Sequence, residues 1–264
     1  MRKRTSTAIA ILAIAALYGC AATYTTPAGG VSLAEEISVT DLREHFATEP
    51  ASRFPANIAV ARLQEGGYYS FSNRGYGNGR YSVVTTRDIE PDEAYETLEG
   101  LPLIRGVAPI GRLLLPNRLN SVDELRSPAA RLKADLLLVY TVDSTFVVDG
   151  NSLDPLSAIS LGFIRNREAH VTSTVAGALL DVRTGFVYGT TEATATRSKK
   201  ATVWSTQQAA DSSRIVAEKQ AFESFIESFS SLWADVVNEH VAVIPAASKS
   251  TPEPAGWYSV QFDN

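Results

Sequence analysis

Cysteine is almost missing from this chain: the 264 residues hold one, Cys20, beside one methionine and three histidines. A lone thiol excludes a disulfide framework within the chain, so packing alone must hold the core, and the length allows that. The histidines His45, His170 and His240 fall in three separate predicted elements, with no carboxylate pattern recurring around them. No Gly-x-Ser-x-Gly elbow, no His-Glu-x-x-His helix and no phosphate-loop lysine occurs. Aspartate and glutamate are frequent, yet no pair stands out for general acid–base work. No catalytic, metal-binding or cofactor-binding residue is therefore assigned, and no small-molecule substrate is expected. Basic excess is missing too. Lys and Arg number 24 against 29 Asp and Glu, a net charge of −5, which argues against a nucleic-acid partner. Nor is any apolar run long enough to span a bilayer at the amino end. Thr5 to Gly19 is 15 residues. As a helix it reaches ~22 Å, against a hydrocarbon core of ~30 Å.

What is present there falls into three parts. Arg2, Lys3 and Arg4 make a basic start, Ala8 to Leu17 is apolar and uncharged, and small residues close the segment at Gly19. This is the layout of a secretory signal. Leu17-Tyr18-Gly19-Cys20 resembles the lipobox of bacterial lipoproteins. The resemblance implies cleavage between Gly19 and Cys20 and acyl chains on Cys20. One chain binds a membrane marginally, at ~0.8 kcal/mol per buried CH₂, whereas several make release negligible. Ala21 stands where the family's inner-membrane members tend to carry Asp, so the resemblance implies the outer membrane, periplasmic side. Without the signal the net charge becomes (24 − 3) − 29 = −8.

Four segments are expected: a signal peptide over 1–19, a lipidated terminus with tether and short helix over 20–53, a domain over 54–240, and a tail over 241–264. The tether, Ala21 to Val31, is Thr, Ala, Gly and Pro. Asp41 and Glu44 are spaced as a capping box for a short helix over Thr40 to Phe46. Pro55 to Leu63 is apolar on both alternating faces and predicts a buried strand. Gly66 to Tyr81 holds Tyr68, Tyr69, Phe71, Tyr76 and Tyr81 among glycines. It reads as a mobile connection, or alternatively as an aromatic surface for glycan rings or a partner protein.

Val83 to Thr86 predicts a strand, and Pro91 to Leu98 a helix ended by Gly100. Leu101 to Leu115, broken by prolines, predicts an interrupted edge strand. Ser121 and Glu124 form a capping-box pair for a helix over Ser121 to Ala134. Pro128 either bends that helix or lies in the first turn of a second one capped by Ser127. Asp135 to Val148 is the clearest strand. Asp149 to Arg167 is apolar for a connection and predicts a short packed helix, or else a loop that dips into membrane or touches another subunit. His170 to Val182 and Phe186 to Arg197 predict a hairpin around Val182-Arg183-Thr184-Gly185. Ser205 to His240 predicts a long helix whose apolar face carries Ile215, Phe222, Phe225, Phe229, Leu232 and Val236, with Glu218, Glu223, Glu227 and Asp235 on other positions.

The fold class expected is α/β (α+β): a mixed sheet packed by helices, with a long carboxy-terminal helix. Ala134-Asp135 followed by the apolar Leu136 to Tyr140, and Asp181-Val182-Arg183-Thr184-Gly185, carry a further likeness. They resemble motifs of periplasmic lipoproteins related to the curli secretion channel subunit, the peptidoglycan-synthase activator lipoproteins and the Tol propeller protein's amino-terminal domain. The likeness covers roughly Phe54 to His240. It implies a scaffolding or export role without catalysis, a membrane held through the lipid, and other envelope proteins or further copies of the chain as partners. A secretion pore subunit and a glycan-binding protein or enzyme are the alternatives. Against a pore, the hairpin arms are rich in Thr and Ala, and Asp143 in the preceding strand and Glu192 in the second arm interrupt the apolar pattern.

Overall fold

The structure, a computed structural model, describes residues 29–32, 43, 45–70, 73–149, 167–201 and 206–241. Six strands form one mixed sheet: β1 (Ala56–Glu65), β2 (Tyr81–Val84), β3 (Ile104–Pro109), β4 (Leu136–Asp149), β5 (Arg167–Asp181) and β6 (Val187–Ala201). Helices α1 (Asp92–Glu99), α2 (Arg126–Arg131) and α3 (Thr206–Val241) accompany it. The mixed sheet with packed helices and a long last helix is the class expected from the sequence.

The strand order is β2-β1-β4-β5-β6, with β3 also on β1. β4 runs parallel to β1, Ile58 opposite Leu136 and Arg62 opposite Tyr140. A parallel neighbour needs a long crossover, and β2, α1, β3 and α2 all lie within it. β1's other edge is shared. β3 pairs in parallel with its first half and β2 antiparallel with its second. β4, β5 and β6 then form a long antiparallel meander.

Alternation along β1 and β4 sorts side chains into two cores. Ile58, Val60, Leu136, Leu138, Tyr140 and Val142 face α1 and α3. Ala59, Ala61, Leu63, Leu137 and Val139 face α2 and the loops around Ile110, Leu115 and Leu119. Strands covered on both sides read as continuous apolar runs, which is why Leu136 to Val139 shows no alternation. Helix α3 lays Phe222, Phe225, Phe229 and Trp233 across the sheet, all fully buried. Each contributes about 1.5–3 kcal/mol by leaving water. Gly177 lets the helix approach, because a Cβ there would stand 2.7 Å from the Phe225 ring. The Trp233 indole donates to the Pro102 carbonyl at 2.8 Å and ties α3 to the segment ahead of β3.

Four expectations change. The helix from Ser121 is instead a 3₁₀ turn, Val122–Leu125, followed by α2. Pro128 does lie in the first turn of a second helix, but that helix starts at Arg126, with Leu125 rather than Ser127 in the cap position. Ser121 Oγ accepts from Asp123 N at 3.1 Å, while Glu124 reaches Asn120 N rather than closing a box. The tyrosine-glycine stretch, expected as a mobile connection, is folded back on β2 through Tyr76–Val83 pairing, with Tyr68 and Tyr81 buried and Tyr69 exposed, while Phe71 lies outside the described residues. Its glycines permit this: a Cβ on Gly66 would lie 2.0 Å from the Gly79 carbonyl oxygen. Glu218 is buried on α3's inner face. Val31, at the end of the expected tether, sits against the sheet, its N–H donating to Thr141 Oγ1 at 3.1 Å. Cys20, the signal, residues 150–166 of the apolar connection and the tail from 242 lie outside the described residues, as do Asp41 and Glu44.

Candidate functional site

The two motifs singled out in the sequence meet at one end of the sheet. Asp135 immediately precedes β4, and Asp181 closes β5 directly before the hairpin turn. Within that turn Gly185 adopts φ +78°, and its N–H returns to the Asp181 carbonyl at 2.9 Å. Asp181 Oδ1 accepts from Arg183 N and Thr184 N at 2.8 and 3.1 Å. Its Oδ2 accepts from Ala51 N, Ser52 N and Ser52 Oγ at 2.7, 2.7 and 2.8 Å. Burial pushes the Asp181 carboxyl up, but the bonds from Ala51, Ser52, Thr184 and Arg183 outweigh burial and hold it below the usual carboxylate range. Asp135 Oδ2 accepts from Asn57 N at 3.1 Å, and its Oδ1 pairs with Arg183 Nη2 at 3.3 Å.

A groove of 420 Å³ opens beside this junction, lined by Asn57, Arg105, Lys133, Asp135 and Arg183, with Ala130 of α2 and Ala134 just beyond it. Lys133 holds a left-handed backbone at φ 60°, which ends α2. Hydrogen bonds from Lys133 N to Ala130 O and from Ala134 N to Ala129 O fix it there. Asn57 Nδ2 donates to the Lys133 carbonyl at 3.2 Å. Arg183 is matched by Asp135. The exposed side chains of Arg105 and Lys133 meet no carboxylate among the described residues.

A second polar cluster is closed. Arg62, in phase with Ile58 and Val60 on β1, is buried between sheet and α3. Its Nη1 lies 3.0 Å from Asp88 and 3.5 Å from Glu90, and its Nη2 3.9 Å from Glu218. Glu218 also takes Arg214 Nη1 at 2.7 Å and Ser144 Oγ at 2.9 Å. Tyr140 Oη donates to Glu90 at 2.5 Å. Burial alone lowers the Arg62 guanidinium, but Glu90 and Glu218 more than offset it, so the charge is retained. Burial, followed by Glu90, pushes the Tyr140 phenol well above its ordinary range. The adjoining cavity measures 20 Å³, room for about one water and not for a substrate. This cluster staples β1, the Asp88–Glu90 loop, β4 and α3. No sequence expectation included it. The available signal was Arg62 at an inward position of an apolar strand, and Arg214 four residues ahead of Glu218 on one helix.

Beyond Leu137, Val139, Ala178 and Leu180, which the second core covers, the sheet face away from α3 is exposed at Asp143, Thr145, Glu192, Thr194 and Thr196. Thr172 pairs its hydroxyl with Thr196 at 3.0 Å and Thr174 with Thr194 at 2.8 Å. A hollow of 390 Å³ lies there, between Val31 and Thr141, Ala176, Thr190 and Glu192.

No family model matches the chain, and no curated protein matches it. Solved structures do show distant likeness. A Xanthomonas campestris protein is 12% identical, covering 71% of this chain and 94% of its own at a TM-score of 0.33. A lipoprotein of Neisseria meningitidis is 14% identical, covering 55% and 85% at 0.31. The dodecameric PelC of Paraburkholderia phytofirmans is 15% identical, covering 66% and 94% at 0.28.

Of the residues named in the sequence, Gly19 and Cys20 lie outside the described part. His240 packs edge-on against Tyr188 at 5.0 Å and Phe186 at 6.1 Å. The aromatics disperse: Tyr68 accepts from Arg62 at 3.4 Å, and Tyr76 donates to Asn117 at 3.0 Å. Among the described residues no group of three or more His, Cys, Asp or Glu is placed to hold a metal. No described helix is long and apolar enough to cross a membrane.

Proposed function

We propose that this chain is a non-enzymatic lipoprotein of the outer membrane, anchored through Cys20, whose α/β domain positions other envelope proteins at the periplasmic face. The observation that carries this is Leu17-Tyr18-Gly19-Cys20, closing a basic-then-apolar segment and holding the chain's one cysteine. Seating of residues 29–32 on the sheet supports it and gives the anchor a length. Gly29 follows Cys20 by 29 − 20 = 9 residues. Nine residues reach at most ~32 Å. Gly29 and Gly30 suit the seat, since a Cβ on either would stand 3.1 Å from the Asp143 side chain. The domain is thereby held next to the bilayer rather than on a long leash.

The pore reading gains no support. The apolar face of β4 and β5 is occupied by α3, and the opposite face carries paired threonines. Mass spectrometry of the mature terminus and membrane fractionation test the proposal. Cys20→Ser is expected to move the protein out of the outer-membrane fraction. An unacylated native terminus would overturn the anchor.

A further inference from the structure

We infer that the groove at the Asp135–Asp181 end of the sheet is an anion-binding site, taking a carboxylate- or phosphate-bearing group. Three cations on three different elements line it: Arg105 on β3, Lys133 behind α2 and Arg183 in the hairpin turn. Asp135 is the one acidic residue among its lining residues. That carboxylate is already engaged by Asn57 N and Arg183 Nη2. Arg105 and Lys133 remain exposed, without a carboxylate among the described residues. Two unmatched cations are notable in a chain with a formal net charge of −5.

Their backbones are fixed before any ligand arrives. Lys133 is held in its left-handed conformation by the bonds that end α2, and its carbonyl is taken by Asn57 Nδ2. Arg105 sits at a register shift in β3, held on both sides by the parallel pairs Ala56–Ile104 and Asn57–Gly106. Arg183 is locked by its own N–H on Asp181. Cations on preset backbones lose less freedom on binding than cations on loose loops. At 420 Å³ the groove has room for several ligand atoms beyond one oxyanion, and Asn57 adds an amide to its lining. Arginine offers a planar fork suited to carboxylate or phosphate, and lysine a point charge. This inference does not depend on the lipid anchor.

The test uses the full chain purified in nonionic detergent. Fluorescein-labelled hexaglutamate is titrated by anisotropy at low salt, with inorganic phosphate added as competitor. Binding should weaken at least tenfold in the Arg105→Gln, Lys133→Gln double variant. It should stay within twofold in the charge-matched Arg197→Gln, Lys219→Gln control. Both altered pairs are exposed, and unchanged urea midpoints would verify folding. Hexaglutamate displaced by phosphate supports a general oxyanion site. Hexaglutamate that phosphate does not displace assigns the groove to carboxylates. Phosphate binding without hexaglutamate binding, again lost in the double variant, assigns it to phosphate. No binding of either probe, or equal loss in both double variants, would overturn the inference.

Discussion

The Ser52 hydroxyl donates to the Asp181 carboxylate at 2.8 Å across 129 residues of sequence, so the chain entering β1 is tied to the turn leaving β5. The same oxygen takes the N–H groups of Ala51 and Ser52. One carboxylate therefore closes the hairpin turn and seats the domain's first segment.

Asp181→Asn should cost about 1.5–3 kcal/mol, because an amide cannot accept all of these donors and adds donors of its own. Urea unfolding would measure it. The wild type should also carry an acid-labile part of its stability. A carboxyl held below its ordinary value stabilises fully above its unfolded pKa of ~3.9. That part fades as pH falls through the lower folded value. The variant's stability should change less over this window. Identical acid limbs in the two proteins would count against the arrangement.

Glu218→Ala should destabilise by about 3–5 kcal/mol, since it leaves Arg62 and Arg214 buried with a lost partner. Denaturant midpoints would show it as a shift with little change in slope. A loss below about 1 kcal/mol, as for surface ion pairs, would mean that this carboxylate is not inside.

Gly177→Ala and Gly189→Ala should differ although both lie under α3. At Gly177 the new Cβ meets the Phe225 ring at 2.7 Å and the Val139 carbonyl at 3.1 Å, neither of which yields easily. Overpacking there should cost about 1–3 kcal/mol. At Gly189 the nearest atom is Leu232 Cδ1 at 2.5 Å, the end of a flexible side chain that can turn away. Thermal unfolding should rank Gly177→Ala as the more damaging; the reverse order would sink this account of the helix crossing.

Much of the fold was legible because its signals are local. The apolar run of β4, the Asp-Val-Arg-Thr-Gly turn and the phenylalanine spacing of α3 each lie within one element. Gly100 ended its helix as expected, its N–H on the Glu96 carbonyl at 2.9 Å. The misplacements share a cause. Glu218 looked solvent-facing because its partners Arg62, Ser144 and Arg214 come from two strands and a neighbouring turn of the helix. The tyrosine-glycine stretch looked loose because its order comes from pairing with β2 and the 117–119 loop.

Local sequence signals determined the order of the main strands and helices and the inward face of α3, and the resemblance of Leu17-Tyr18-Gly19-Cys20 to the lipobox set the lipid-attachment expectation at Cys20. Tertiary structure alone decided which charges lie inside, that β2 and β3 share one edge of β1, and that Arg105, Lys133 and Arg183 line one groove. The reason is range. A repeat of two or 3.6 residues reports on neighbours along the chain, whereas a charged group's environment is set by residues that only folding brings near.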